Sequence, residues 1–430
     1  MPLWLSKLNY LRKMIDVSYV DKTFGLPNNV LKKFEKYSLD FRRTFVIEHI
    51  GDELQVAKKW IRNFKRAVSE AKKVLGFRDE LYPKEFKSFL DDPEIHLTKK
   101  IFFYTIDLLR GILSLEDFLK SAAPAVKTSL KTNMRSVYQY WVYVNILNEF
   151  GKRGGEMVYP EVKYLMIGRT GKQKTGWIPP NSIMHFGNDS YLSFFLEAPR
   201  PIAWGDTGDL KRIWKLYTAL RPDMLVYTSK VLNIVNLDGD LPILRPDVIL
   251  ECKELSDWYK RKRDMRGYLA RPLSVEEWRN VWIKGLWGGL AEAMGIEESE
   301  LVNKVKKKKS ILVKDIQVVS LYNSMYKPKK MFLISRSTIP RDIRNDLEER
   351  GIIVYDNIGF RKNKLRIVVD ELENLAKKSN EKRGNSRKDF IRKISKFAQL
   401  LDMDQEELLD WLIRYIETNF DHFSKFVKDR

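Results

Sequence analysis

The chain has almost no thiol chemistry: Cys252 is the single cysteine in 430 residues. An intramolecular disulfide and a cysteine-built zinc site are therefore excluded, and a reducing cytoplasm is the simplest expected compartment. Histidine is equally scarce. The four present, His49, His96, His185 and His422, are scattered singly, which leaves zinc hydrolases and histidine-based nucleases little to build on. No apolar run approaches the roughly 18 residues of a membrane span. The opening "MPLWLSKLNYLRKM" mixes Lys and Arg through its apolar residues, so no signal peptide is expected. A phosphate-binding GxxxxGK[ST] loop is also missing, and any nucleotide-driven step would need a partner motor.

Positive charge is abundant. Lys and Arg number 78 against 57 Asp and Glu, a net charge of +21. Such an excess favours polyanionic partners, with nucleic acid first and an acidic membrane surface second. The length and the 44% hydrophobic content suit two or three folded domains.

Residues 1–130 read as a helical, basic N-terminal domain. In "DELQVAKKWIRNFKRAVSEAKKVLGF" the residues Leu54, Ala57, Trp60, Ile61, Phe64, Val68, Ala71 and Leu75 recur at three- and four-residue steps. Lys58, Lys59, Arg62, Lys65, Arg66, Lys72 and Lys73 fill the face between them, which either solubilises a surface helix or contacts nucleic acid. A second helix is expected over Asn133–Gly155, closed by its glycines.

After it the period changes. "EMVYPEVKYLMIG", "SYLSFFLEA", "DMLVYTS", "VLNIVNL" and "DVILECKE" read as short strands. A helix is then predicted over Trp278–Ile296, behind the capping-box spacing of Ser274 and Glu277, followed by an exposed lysine loop, "KVKKKKS". "IQVVSLY", "KKMFLISRS" and "IIVYDNI" read as further strands, with a helix in "PRDIRNDLEERG". Strands alternating with helices imply parallel neighbours and an α/β architecture. The central domain is thus expected over 131–376. "KKSNEKRGNSRKD", 377–389, has nothing to bury and reads as a linker. The segment 390–430 reads as a small helical module, either a DNA-binding or docking unit or a cap on the main domain.

The tripeptide Arg-Pro-Asp occurs twice, at Arg221–Asp223 before "MLVY" and at Arg245–Asp247 before "VILECKE". An acid after proline at the start of one strand, with the acid-x-Lys triplet Glu251-Cys252-Lys253 on a later one, resembles the signature of the PD-(D/E)xK nuclease superfamily. Strand geometry decides which aspartate accompanies Glu251. Asp247 stands about 13 Å from Glu251 along one strand at about 3.3 Å per residue, too far for ligands held about 2.1 Å from one Mg²⁺. Asp223, 28 residues before Glu251, begins another strand, and paired strands lie about 4.8 Å apart. Asp238 and Asp240 read as turn residues. Alternation places Glu251 and Lys253 on one face and turns Cys252 into the core. In the expected site Asp223 and Glu251 hold Mg²⁺ or Mn²⁺, with the Cys252 backbone carbonyl as a further oxygen ligand. Lys253 is expected to position or deprotonate the attacking water and to stabilise the phosphorane.

The resemblance covers Met134–Ile358, where a leading helix, the acidic strands, a helix and two further strands follow the superfamily's order. It implies a restriction-endonuclease-like core, a mixed sheet flanked by helices. The segment "SVYQYWVYVNIL" looks like the Tyr-Glu-x-Trp helix of McrC-like restriction subunits and related archaeal proteins, whose glutamate adds a metal contact. Gln139 holds the matching place here, and Glu149, about 15 Å further along the helix axis, is a poor substitute. Basic residues of "WYKRKRDMRGY", namely Lys260, Arg261, Lys262, Arg263 and Arg266, are expected to contact nucleic acid beside its aromatics. The function expected is Mg²⁺-dependent hydrolysis of DNA, double-stranded or branched, without a membrane. A homodimer and a motor ATPase subunit are the candidate protein partners. The competing expectation is a lapsed nuclease fold that binds DNA or recruits a partner.

Overall fold

The computed structural model describes residues 2–14, 28–169, 177–187, 189–198, 221–236, 243–264, 291–292, 294–306, 312–400 and 404–418. Helices come first: α1 (Leu3–Met14), α2 (Asn28–Leu75), α3 (Lys84–Asp91), α4 (Pro93–Lys100), α5 (Phe102–Leu109) and α6 (Leu115–Lys152). The periodic apolar stripe of α2 is buried as its spacing predicts, and the helix bends at Ile50, where φ is −147°. Helix α6 starts where the Ser114 hydroxyl accepts from the Asp117 amide at 3.1 Å. From Val137 to Asn148 every residue of α6 is buried, because α2 covers one side and a sheet the other. The two helices run side by side: Trp60 and Tyr138 rings lie 6.5 Å apart, and the Asn148 amide donates to the Ala67 carbonyl at 3.0 Å. Gly151 permits the approach further along. A Cβ there would stand 2.6 Å from side-chain carbons of both Val74 and Leu75.

The strands are β1 (Asp79–Leu81), β2 (Glu156–Tyr159), β3 (Tyr164–Met166), β4 (Ser182–Phe186), β5 (Ser190–Leu196), β6 (Met224–Tyr227), β7 (Val248–Lys253), β8 (Lys262–Asp264), β9 (Leu312–Lys314), β10 (Lys330–Ser335) and β11 (Ile352–Tyr355). Seven form one mixed sheet in the order β11-β10-β7-β6-β5-β4-β2. Strands β11, β10 and β7 are parallel, and each pairing from β7 to β2 is antiparallel. Strands β6 and β7 are buried along their whole length, as continuous apolar runs covered on both faces require. One face, with Val226, Leu250 and Cys252, joins the N-terminal helices in a single core. The other, with Leu225, Ile249 and Leu333, packs against α8 (Asp315–Tyr326) and α9 (Arg341–Glu349), which follow α7 (Glu298–Lys306). No helix among the described residues is long and apolar enough to cross a membrane.

Several expected elements differ. "IQVVSLY" lies within helix α8 and is not a strand; Ile316, Val319, Tyr322 and Tyr326 are buried at three- and four-residue steps, a period that overrides the β-branched pair Val318 and Val319. "VLNIVNL" forms only a bridge between Val235 and Ile243, because the Asn233 carboxamide takes the Ile178 and Val235 amides at 2.9 and 3.1 Å. "EMVYPEVKYLMIG" divides at Pro160 into β2 and β3, which belong to different sheets. Position 130 lies inside α6, so the N-terminal helices and the sheet share an element across the expected boundary. The expected linker 377–389 lies inside α10 (Arg366–Leu400), a helix rich in the good helix formers Lys, Glu and Arg. The C-terminal helix pair is completed by α11 (Gln405–Thr418). Most of the Trp278–Ile296 helix, its Ser274 and Glu277 cap, Lys307–Ser310, and Asp238 and Asp240 lie outside the described residues.

His96 on α4 supplies a pH test of this helical region. Its ring nitrogen meets Ser129 Oγ at 3.3 Å and Asn133 Nδ2 at 3.4 Å. Burial, reinforced by the charges of Lys100 and Lys99 against an opposing Glu85, lowers its pKa to about 4. The folded chain then binds fewer protons than the unfolded chain below the ordinary histidine pKa of about 6.5, so stability is complete above that pH and falls as pH drops toward 4. After solvent screening the loss is about 1–2 kcal/mol. Thermal melts of wild type and His96→Gln at pH 7.5 and 5 should show a smaller pH effect in the variant; equal effects would remove His96 from the acid response.

Candidate active site

Strands β6 and β7 pair antiparallel with Met224 opposite Leu250, so the register carries Asp223 opposite Glu251 one step past the last ladder pair. Side chains replace the missing ladder bonds there. The Cys252 amide donates to Asp223 Oδ2 at 2.8 Å and the Asp223 amide donates to Glu251 Oε2 at 3.1 Å. Lys253 Nζ donates to Glu251 Oε1 at 2.8 Å and lies 5.1 Å from the centre of the Trp258 ring. Glu251 and Lys253 are only 4% and 6% exposed, so each charge depends on the other. Burial, then the nearby Glu251 charge, pushes the Asp223 carboxyl well above its ordinary pKa, against the pull of Lys253, Arg135 and the Cys252 amide. Two carboxylates crowded in this way favour a proton or a cation between them.

Asp247 is elsewhere. It takes the Thr228 amide and hydroxyl at 2.6 and 2.8 Å and pairs with Lys329 at 2.6 Å, holding the entrance of β7 to the turn after β6. Cys252 packs in the core between sheet and α6, and burial, followed by the charges of Asp223 and Glu251, raises its thiol pKa. Its amide faces Asp223. A residue's N–H and C=O point to the same side of a strand, so its carbonyl lies on that side too.

Gln139 is fully buried. Its Nε2 donates to the Asp223 carbonyl at 3.1 Å, while its Oε1 has no partner. The structure thus puts Gln139 behind the main chain of Asp223, not among the side chains lining the cleft.

That cleft, about 90 Å³ in volume, is open to solvent and ringed by Arg135, Arg169, Arg221 and Arg261. Three acids outside the expected site also line it, Glu197, Glu254 and the buried Asp315 at the start of α8. Glu197 ends the strand segment after β5 with a positive φ of 48°; Arg169 grips its Oε2 at 3.0 and 3.2 Å, and Tyr140 OH reaches its Oε1 at 3.3 Å. Its amide also donates to the Asp223 carbonyl at 2.9 Å. Glu254, beside the Glu251-Cys252-Lys253 triplet, is 5% exposed. Glu197 and Glu254 follow the pattern that exposes Glu251, an acid at the end of an apolar run, and that signal could have found them; Asp315 carries no such sign.

Of the expected nucleic-acid contacts, Arg261 lines the cleft, Lys260 is exposed and lies 5.9 Å from the Tyr259 ring centre, and exposed Lys262 sits on β8 opposite Lys314. Arg263 is placed on β8 by its backbone alone, and Arg266 lies outside the described residues. On α2, Lys58 and Lys72 pair with Glu94 and Asp79, while Lys59, Arg62, Lys65, Arg66 and Lys73 are exposed.

Among the described residues no group of three or more His, Cys, Asp or Glu is placed to hold a metal. Two carboxylates nevertheless suit Mg²⁺, which is commonly held by one or two of them together with water and substrate phosphate. The donor set is all oxygen, as a hard cation requires. No protein-family model, curated protein or solved structure matches the chain.

Proposed function

We propose that this protein is a Mg²⁺- or Mn²⁺-dependent DNA nuclease with a restriction-endonuclease-like core, acting in the cytoplasm. One observation carries the reading: Asp223 and Glu251, from adjacent strands, are held together by two backbone amides, that of Asp223 on the Glu251 carboxylate and that of Cys252 on the Asp223 carboxylate, and Lys253 is fixed on Glu251. Asp223 and Glu251 would hold the ion, with the Cys252 carbonyl beside them; when bound, it lowers the pKa of water and offsets phosphate charge. Lys253, paired with Glu251, is an ammonium donor, suited to orienting the attacking water and stabilising the charge that develops on phosphorus oxygens. The Trp258 ring keeps that ammonium partly dry, which strengthens its field. Arg135 and Arg221 stand where a phosphate entering the cleft would be held.

A second reading, a lapsed nuclease that retains DNA binding, is favoured by Gln139. Its amide serves the Asp223 main chain where the resemblance calls for a glutamate ligand. Incubation with plasmid, single-stranded and branched DNA decides between them. The nuclease reading expects cleavage in Mg²⁺ or Mn²⁺ and none in excess EDTA. Metal-independent cleavage would overturn both readings, and salt-sensitive binding without cleavage would establish the second.

A further inference from the structure

Helix α6 carries a row of residues four apart: Lys127, Lys131, Arg135 and Gln139. Successive positions of this kind are neighbours about 6 Å apart along the axis and drift about 40° around it, so the row winds gradually from solvent at Lys127 to the buried Gln139. The row ends at the site, because Arg135 lines the cleft and Gln139 donates to the Asp223 carbonyl. Its outer part is open. Lys127, Lys131 and Arg135 are exposed, and neither lysine meets a carboxylate among the described residues, whereas Lys120 is paired with Glu116. No acid occurs on α6 between Asp117 and Glu149.

We infer that this row is a track for one unpaired DNA strand, delivering its phosphates to the cleft. The inference rests on the nuclease reading for what happens at the cleft, and on charge and continuity for the track. Three cations at about 6 Å steps match the repeat of a single extended backbone, which proteins follow with a positively charged groove. Glu251, Lys253 and Glu254 are 4–6% exposed, so the backbone that reaches them must enter the recess itself, which a single flexible strand does more readily than a stiff duplex. The substrate class that follows is DNA with a single-stranded tail or displaced strand.

The test is fluorescence anisotropy of the full chain in EDTA with a hairpin duplex, blunt or carrying a single-stranded thymidine tail. Wild type should prefer the tailed DNA. Lys127→Ala/Lys131→Ala should weaken tailed binding about tenfold and blunt binding less than twofold. The slope of log affinity against log salt should fall by about 1.4, or 0.7 for each lost single-strand phosphate contact. Lys32→Ala/Lys36→Ala removes the same charge from the exposed far end of α2 and should change tailed binding less than twofold. Equal losses from the two pairs would reduce the effect to net charge and overturn the track. Equal losses on blunt and tailed DNA, or no wild-type preference, would overturn it too. Circular dichroism checks folding, and Lys127→Gln/Lys131→Gln provides a second pair. Because binding is read without metal, a failure to cleave leaves this pattern standing, and an indifferent lysine pair leaves cleavage standing.

Discussion

Lys253→Met should stop cleavage almost completely, lowering the rate at least about 10³-fold, in the upper part of the range for removing one preorganised donor from a water-poor site. Methionine keeps a flexible stem beneath Trp258, so the loss is of charge more than of shape. Stability should fall as well. Glu251 would keep the Asp223 amide but lose its buried counter-ion, and breaking such a pair from one side costs about 3–5 kcal/mol. Added Mg²⁺ should recover part of that loss, since a cation held by Asp223 and Glu251 replaces the missing charge. The two effects separate the explanations. A variant with wild-type melting in Mg²⁺ and no cleavage places Lys253 in the chemistry; cleavage within threefold of wild type would remove it from the mechanism.

Gln139→Glu should destabilise the protein by about 2–4 kcal/mol despite its near-identical shape. The substitution exchanges a donor for an acceptor facing the Asp223 carbonyl and buries a charge beside a carboxyl already pushed above its ordinary pKa, and an unpaired buried polar or charged group costs that much. Cleavage should fall with it, because the Asp223 backbone loses an anchor. Urea melts and initial rates at saturating Mg²⁺ check both. If the glutamate instead raises cleavage and tightens the response to metal, residue 139 belongs among the metal ligands and its present contact is incidental.

Much of this arrangement is legible in the chain. Alternating apolar runs give the strands, and a rise of about 3.3 Å per residue suffices to prefer Asp223 over Asp247 as the neighbour of Glu251. Helices covering a sheet, and the parallel strands β7, β10 and β11, follow from the order of the periods; the antiparallel pairings from β7 to β2 do not. Other features depend on contacts between distant residues. Helix α8 looks like a strand because Val318 and Val319 have β propensity, and only its packing against β10 and Trp258 settles the matter. Asn233 gives no local sign that it will intercept amides from Ile178 and Val235. Residues 377–389 are polar in any conformation, and a helix continued from the packed turn around Leu372 and Ala376 carries them along. At the site, Glu254 lies next to the motif and ends the same apolar run, whereas Glu197 and Asp315 reach the cleft from distant segments that motif spacing does not connect to Glu251.

Helix α6 is a single beam of 38 residues, about 57 Å at 1.5 Å per residue. One end is clamped among the N-terminal helices and the other beneath the sheet, and Gln139 bears on Asp223 from its middle. The same helix packs on β7, whose Leu250 and Cys252 lie in its core. It therefore braces both halves of the carboxylate pair at once, Asp223 through its main chain and Glu251 through its strand, from a part of the chain that contributes no carboxylate to the site.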